Sequence, residues 1–255
     1  MAQQTTEVGY FIYGIVPGDV EPTDAARGLG DPAAPVTAVT HGDLGALVSE
    51  VALDRPLGRP DDLLAYKRLL DETAVAAPVL PVRFGTVLSS RDAVAELLAG
   101  DHDRYLAALD ELEGRVEYVV RGRYVESAVL TEVLSENPEA EALRQELAGA
   151  PESAPMELRM RLGELISAAV EAKRAADTQR LVDALAATAV SHVPRPPTHE
   201  QDAAHVAFLV ETKRRDEFER AVERFAGDEW SDRVTVRLLG PLAPYDFVGG
   251  PAPQG

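Results

Sequence analysis

Five histidines, His41, His102, His192, His199 and His205, are the residues best suited to hold a metal or relay a proton. Metal sites need several converging ligands, and the helical i, i+4 histidine pair of a metalloprotease occurs nowhere in the chain. His192 and His199 flank a proline-rich stretch, where exposed or capping roles outweigh ligation. The sequence has no cysteine, which removes disulfides, thiolate zinc sites, iron-sulfur clusters and cysteine nucleophiles together. It also lacks a G-x-S-x-G elbow and a P-loop, and Gly28-Leu29-Gly30 has neither the spacing nor the context of a dinucleotide fingerprint. Adjacent carboxylates such as Asp61-Asp62, Asp71-Glu72 and Asp110-Glu111 diverge on a helix surface, so they read as solubility and helix-start charge. An enzyme built on a carboxylate dyad would need two such groups in one cleft with separated pKa values, which the spacing does not indicate. Arg83 is set among apolar residues in VLPVRFGTVL, and an exposed strand face or a structural salt bridge is its simplest account.

The elements that would position these residues follow from hydrophobic periodicity. Residues 9–16, GYFIYGIV, are aromatic and β-branched and stop at Pro17-Gly18, which predicts a first strand. Residues 20–35 are rich in Gly, Pro and Asp and read as a loop. Strands over 36–40 and 44–51 follow, with Gly42-Asp43 as their hairpin turn. From Asp61 the period becomes helical, with Leu63, Tyr66, Leu70 and Ala74 inward and Pro60 at the start. Residues 79–88 read as one strand, in which Pro81 requires an edge, a bulge or a missing ladder bond. A helix capped by Ser89 or Ser90 runs to Leu112, loosened at Gly100-Asp101, and the β-branched stretch 116–125 predicts another strand.

Helices over 127–136 and 139–148, a connector at 149–155 and a long charged helix from 156 towards 190 come next. Leu158, Leu162, Leu165, Ala169, Leu181 and Leu185 are its expected inward positions. Pro194, Pro196 and Pro197 make 191–201 a loop or mobile linker. The remaining residues show a strand, helix, strand pattern at 204–211, 214–225 and 234–239, with Phe218, Val222 and Phe225 inward. Together with the strand near Val116, this could complete a ferredoxin-like sheet.

The 255 residues carry 25 basic against 43 acidic side chains, a formal charge of −18, and no basic patch relieves that field, which argues against nucleic-acid binding. At 45% hydrophobic and 27% charged the chain is that of a folded protein able to build a core. The N-terminal MAQQTTEVGYF lacks the basic and apolar regions of a secretory signal, and no apolar run is long enough to span a bilayer, so a cytoplasmic location is expected.

Three segments coincide in this chain: YFIYGIV in the first strand, LPVRFGT over 80–86 and GPLAPYDFV over 240–248. With Ala207-Phe208-Leu209-Val210 before a helix, the combination resembles the gas vesicle GvpL/GvpF family. Ala243 and Asp246 depart from the proline and serine common at those places, and 118–123 matches the family's central strand only loosely. The resemblance implies a non-enzymatic, cofactor-free minor component or assembly factor of gas vesicles, present in the cytoplasm before and during assembly. It further implies binding to GvpA, the small and very apolar major shell protein, and to other accessory proteins, with no nucleic acid, membrane or metal as partner. An acidic soluble protein covering such a shell subunit would limit its aggregation during vesicle nucleation.

The expected architecture is α+β in two domains. An N-terminal α+β domain spans 1–113, and a modified ferredoxin-like domain spans 114–248, with a long helical insertion over 127–190. Residues 249–255 form a flexible tail. The candidate partner-binding or motif-structural residues are Pro81, Arg83, Phe84, Gly85, Thr86, Gly240, Pro241, Tyr245 and Phe247. Gly85 would allow close backbone approach, Pro81 and Pro241 would fix strand entry and exit, and Tyr245 and Phe247 would pack the terminal segment or recognise a partner. The competing function is a ferredoxin-like regulatory module binding a small ligand between its domains, which a polar concave site holding Arg83 would favour.

Overall fold

The structure, a computed structural model, describes residues 7–30, 32–54, 56–149 and 156–248. Apart from Gly149, the expected connector at 149–155 lies outside the described residues, as does the expected tail at 249–255. The chain divides into two compact units, one of Met1–Tyr118, Leu209–Lys213 and Gly240–Gly255, the other of Val119–Phe208 and Arg214–Leu239.

In the first unit, β1 (Val8–Pro17) is almost wholly buried because its aromatic and β-branched residues serve both faces of a sheet. Residues 20–35, expected as a loop, contain β2 (Arg27–Gly30) paired with β3 (Ala33–Pro35). These strands are too short to show periodicity, and β2 is fixed by Leu29, whose amide donates to the Tyr13 hydroxyl at 2.8 Å. The hairpin β4 (Thr37–His41) and β5 (Leu44–Ala52) forms as expected, with Gly42 at φ 57° in its turn. β1 pairs antiparallel with β5, and a bulge leaves Tyr13 as the extra residue between Ile12 and Gly14.

Helix α1 (Pro60–Ala76) starts with proline in its first turn, and the Asp62 carboxylate accepts from the Arg59 amide. Its buried stripe is Asp62, Tyr66, Leu69, Leu70 and Ala74, whereas Leu63, expected inward, is 46% exposed because it lies off that stripe. β6 (Leu80–Pro81) and β7 (Val87–Leu88) follow, both antiparallel to β1, so the sheet runs β4-β5-β1-β6 with β7 also on β1. Ser90 caps α2 (Arg91–Gly100) by accepting from the Ala93 amide. The helix expected to reach Leu112 is in fact interrupted, because Asp101 leaves helical geometry at φ −126° and α3 (His102–Leu112) starts anew. One core gathers Phe11, Tyr13 and Leu47 with α1 residues, and another gathers Ile12, Ile15 and Val48 with Val94, Leu98, Leu109 and Leu112 from α2 and α3.

The remaining elements are β8 (Arg115–Tyr124), α4 (Glu126–Glu136), α5 (Pro138–Ala148), α6 (Met156–Leu185), β9 (Ser191–Pro194), β10 (Asp202–Glu211), α7 (Arg215–Glu229) and β11 (Val234–Leu242). They make up the second unit, except that residues 115–118 of β8, 209–211 of β10 and 240–242 of β11 belong to the first. The sheet order is β11-β8-β10-β9, the first strand of a βαββαβ unit lying between its third and fourth, which is the ferredoxin-like arrangement. The segment expected as a loop at 191–201 supplies β9, the edge strand that completes this order. An edge position needs few ladder donors, so Pro194 is tolerated there, and the Arg195 amide still reaches the His205 carbonyl at 2.7 Å. The apolar face of α7 is Phe218, Ala221, Val222 and Phe225, with Phe218 packed on Phe208 and Phe225 edge-on to Trp230.

Helix α6 ends at Leu185 and passes into a short 3-10 turn, so it is shorter than the expected span. Leu181 and Leu185 are buried as expected, while Leu158, Leu162, Leu165 and Ala169 are only half-buried.

Asp202, fully buried at the start of β10, receives Arg121 on both carboxylate oxygens and the amides of Thr198 and His199 at 2.7 and 3.0 Å. Burial pushes its carboxyl up, but the Thr198 amide, Arg121, the Thr198 hydroxyl and the His199 amide outweigh it and hold the pKa below the ordinary value. A depressed folded pKa contributes stability that is complete above the unfolded value, about 3.9, and is lost as pH falls through the lower folded value. The stability gap between wild type and Asp202→Asn is therefore expected to narrow as urea melts are taken from pH 6 to below about 4. A constant gap would refute this assignment.

Candidate functional site

Residues 79–88, expected as one strand, run antiparallel to β1 in two pieces. Leu80 and Pro81 oppose Ile15 and Gly14, and Val87 and Leu88 oppose Phe11 and Tyr10. The Val82 amide reaches the Tyr13 carbonyl at 2.9 Å and the Ile12 amide reaches the Thr86 carbonyl at 3.0 Å, so Arg83, Phe84 and Gly85 are extruded between adjacent partners. The turn is closed by Thr86, whose amide and hydroxyl both donate to the Arg83 carbonyl, at 3.2 and 2.7 Å. Gly85 has φ 91°, at the turn position where glycine is favoured. No atom lies within 4 Å of an added Cβ there, so the expected close backbone approach is absent and backbone conformation is the reason for this glycine. Pro81 occupies the sheet edge, Arg83 is exposed, and Phe84 folds back at 5.5 Å from Phe11 and 5.4 Å from Tyr66.

Tyr66 ties this turn to α1 by donating its hydroxyl to the Val82 carbonyl at 2.6 Å. Asp71, one turn further along α1, holds the terminal segment: its Oδ1 accepts the Ala243 amide at 2.9 Å and the Tyr245 hydroxyl at 3.0 Å. The Lys67 ammonium lies 4.5 Å from the centre of the Tyr245 ring, a cation-π contact. The buried Glu117 carboxylate accepts the Asp246 amide at 2.9 Å. Phe247 packs on the core shared by α2 and α3, whereas Tyr245 and Phe84 pack on the α1 core. Gly240, at φ 144°, lets the backbone pass against the Tyr118 ring, where an added Cβ would stand 2.6 Å from a ring carbon. Pro241 follows it through a cis peptide bond.

Residues from all four sequence motifs thus meet in the first unit. Phe11 and Tyr13 from the first, Phe84 from the second and Ala243 and Tyr245 from the last share one core, and Leu209 lies in the other. The polar chemistry is that of fixed donors. Burial, then the Asp71 charge, pushes the Tyr66 phenol up to about 12, and the same two causes in the same order push Tyr245 higher still. Both phenols keep their protons near neutral pH and act as hydrogen-bond donors, not as bases. Asp71→Ala is expected to cost about 1–3 kcal/mol, because it orphans an amide and a half-buried phenol together. Denaturant melts would give the loss, and faster hydrogen exchange of the Ala243 amide would locate it; unchanged exchange would contradict the latch.

In the sequence Asp71 reads as a surface carboxylate, because its neighbours say nothing of Tyr245. Asp177, buried on α6, gives no sequence signal either. It accepts the Tyr124 hydroxyl at 2.7 Å and pairs with Arg233 at 2.9 Å, and Glu132 links Arg233 to Lys173. Among the described residues no group of three or more His, Asp or Glu side chains is placed to hold a metal ion, and no helix is long and apolar enough to cross a membrane.

The comparisons with known proteins extend over this whole arrangement. The family described as "Gas vesicle synthesis protein GvpL/GvpF" matches residues 9–249. Gas vesicle protein F of Streptomyces sp. (strain CB03234) is 37% identical over 222 residues, covering 87% of this chain and 91% of that protein. Gas vesicle protein L of the same organism is 29% identical over 260 residues, covering 94% and 92%. The crystal structure of GvpF from Anabaena sp. PCC7120 shares the fold with a TM-score of 0.78 at 22% identity, over 96% of this chain and 99% of that one. That of GvpF from Microcystis aeruginosa gives 0.76 at 23% identity, over 94% and 99%. With the family's pattern matched from the first strand to the terminal segment, and a relative above one-third identity along most of its length, this chain belongs to the GvpL/GvpF family of gas vesicle synthesis proteins.

Proposed function

We propose that the protein is a non-enzymatic gas vesicle assembly factor that binds the major shell protein GvpA and limits its aggregation during vesicle nucleation, acting in the cytoplasm before the vesicle is complete. The observation that carries this reading is the family match over residues 9–249, which leaves almost no part of the chain for a different activity. The net charge of −18 supports it physically, since a highly charged soluble partner keeps a complex with an apolar subunit in solution. Arg83, on which a small-ligand module would depend, stands exposed on its turn with its backbone carbonyl occupied by Thr86.

The test is co-expression with GvpA, using an unrelated acidic protein of similar size as control. Selective retention of soluble GvpA, co-purifying in fixed stoichiometry, is the expected result. Equal precipitation of GvpA in both cases would overturn direct binding.

A further inference from the structure

The second unit has a cleft of about 1000 Å³ that neither the motif residues nor the Asp177 ion pairs form. One wall is a stripe of α6: Gly163, Ile166, Ser167, Val170, Glu171 and Arg174. These recur at i, i+3, i+4, i+7, i+8 and i+11, so they line one face over three helical turns, about 16 Å. The facing wall is α4, through Glu126, Val129 and Leu130 at i, i+3 and i+4, with the 197–201 loop completing the lining. Leu130, Ile166 and Val170 are apolar yet only half-buried, and Gly163 is open, with no atom within 4 Å of an added Cβ.

The charge of the lining is one-sided. Three carboxylates, Glu126, Glu171 and Glu200, face one guanidinium, and Arg174 already donates Nε and Nη2 to the Asp202 and Glu200 carbonyls at 2.7 Å each. Gln201 donates to Glu126, while the Glu171 and Glu200 carboxylates have no ion pair among the described residues. The shape selects among ligand classes as well. Tyr124 ends β8, which lies between β11 and β10, so the cleft offers no free sheet edge for an added strand. Among the described residues the one buried side-chain polar atom without a partner is Trp230 Nε1, which does not line the cleft, so no buried polar group waits there to orient a small molecule.

We propose that this cleft docks an amphipathic α-helix of a partner protein, with its apolar face on Leu130, Ile166 and Val170 and lysine or arginine residues beside Glu126, Glu171 and Glu200. A helix laid between two helices fills ridges into grooves, and the flanking bases relieve the carboxylates. The proposal does not depend on the partner being the shell protein.

The probe is a synthetic amphipathic peptide of about 15 residues, with leucines at i, i+3, i+4 and i+7 flanked by lysines, titrated into the full chain by calorimetry. A scrambled peptide of equal charge, and one with glutamate in place of lysine, are the controls. Binding at one site is expected for the amphipathic basic peptide alone. It should weaken about tenfold in Gly163→Trp, which fills the cleft, and in the double variant Glu171→Gln/Glu200→Gln, but not in Glu146→Gln, which removes a charge from the exposed face of α5. Circular dichroism of each variant confirms that the fold is kept, and Gly163, being open, tolerates the larger side chain. Equal binding of the scrambled peptide, unchanged affinity in Gly163→Trp, or equal weakening by Glu146→Gln would each show charge attraction without a docking site and overturn the proposal.

Discussion

Replacing Asp177 with alanine is expected to destabilise the second unit by about 3–5 kcal/mol, the usual range when one partner is removed from a buried ion pair. Asp177 is 1% exposed, and its Oδ2 serves two donors from different elements, the Tyr124 hydroxyl at 2.7 Å and Arg233 Nη2 at 2.9 Å. The alanine variant leaves a buried phenol without an acceptor and a largely buried guanidinium with Glu132 as its remaining carboxylate among those contacts. The site also anchors α6, because Asp177 is the first buried residue of that helix and Leu181, Val182 and Leu185 complete its buried end. Urea denaturation would measure the loss, and a double-mutant cycle with Arg233→Leu would isolate the pairwise part. A loss below about 1 kcal/mol, the range of exposed pairs, would mean that water satisfies Tyr124 and Arg233 when the carboxylate is gone.

Gly240→Ala is expected to cost about 2–5 kcal/mol in the first unit, from two causes that act together. A φ of 144° belongs to a region that L side chains rarely enter, which costs about 1–3 kcal/mol when enforced. The added Cβ would also lie 2.6 Å from Cδ1 of Tyr118 and 3.0 Å from the Glu117 carbonyl oxygen. Tyr118 is 1% exposed and cannot swing aside cheaply, so overpacking adds a similar amount. The terminal segment begins at this residue, so the variant should also weaken the Asp71 latch. Thermal melts and hydrogen exchange of the Ala243 and Asp246 amides would report both effects. Gly85→Ala serves as the contrast: it meets no atom within 4 Å, so its cost is backbone strain alone and should be smaller. Equal losses at the two glycines would refute the packing part of the argument.

The elements that were readable in the sequence are those whose local pattern agrees with their tertiary role. The first strand is an unbroken aromatic and β-branched run because both of its faces are covered, and α7 shows Phe218, Val222 and Phe225 at helical spacing because one side meets a core. The elements that were not readable are stabilised from a distance. β2 has four residues and is held by the Tyr13 hydroxyl, and β9 lies among prolines that an edge strand accepts and an isolated peptide would extend without pairing. VLPVRFGTVL reads as one strand because its composition is that of a strand, but the Arg83–Thr86 turn, extruded between consecutive partners on β1, divides it.

By itself the sequence determined the fold class, the family and the character of the surface. Spaced apolar residues, the combination of LPVRFGT with GPLAPYDFV, and an excess of acidic side chains are each visible without coordinates. The tertiary structure alone decided which carboxylates are structural. Asp71 and Asp177 are unremarkable in their helices and become determinants only when Tyr245, Tyr124 and Arg233, distant along the chain, converge on them. It also decided that, of the two motif glycines Gly85 and Gly240, the second is the one a neighbouring ring requires, since close approach is a property of two segments and periodicity reports on one. The acidic cleft between α4 and α6 arises in the same way: its stripe is spread over two helices that the sequence separates by another.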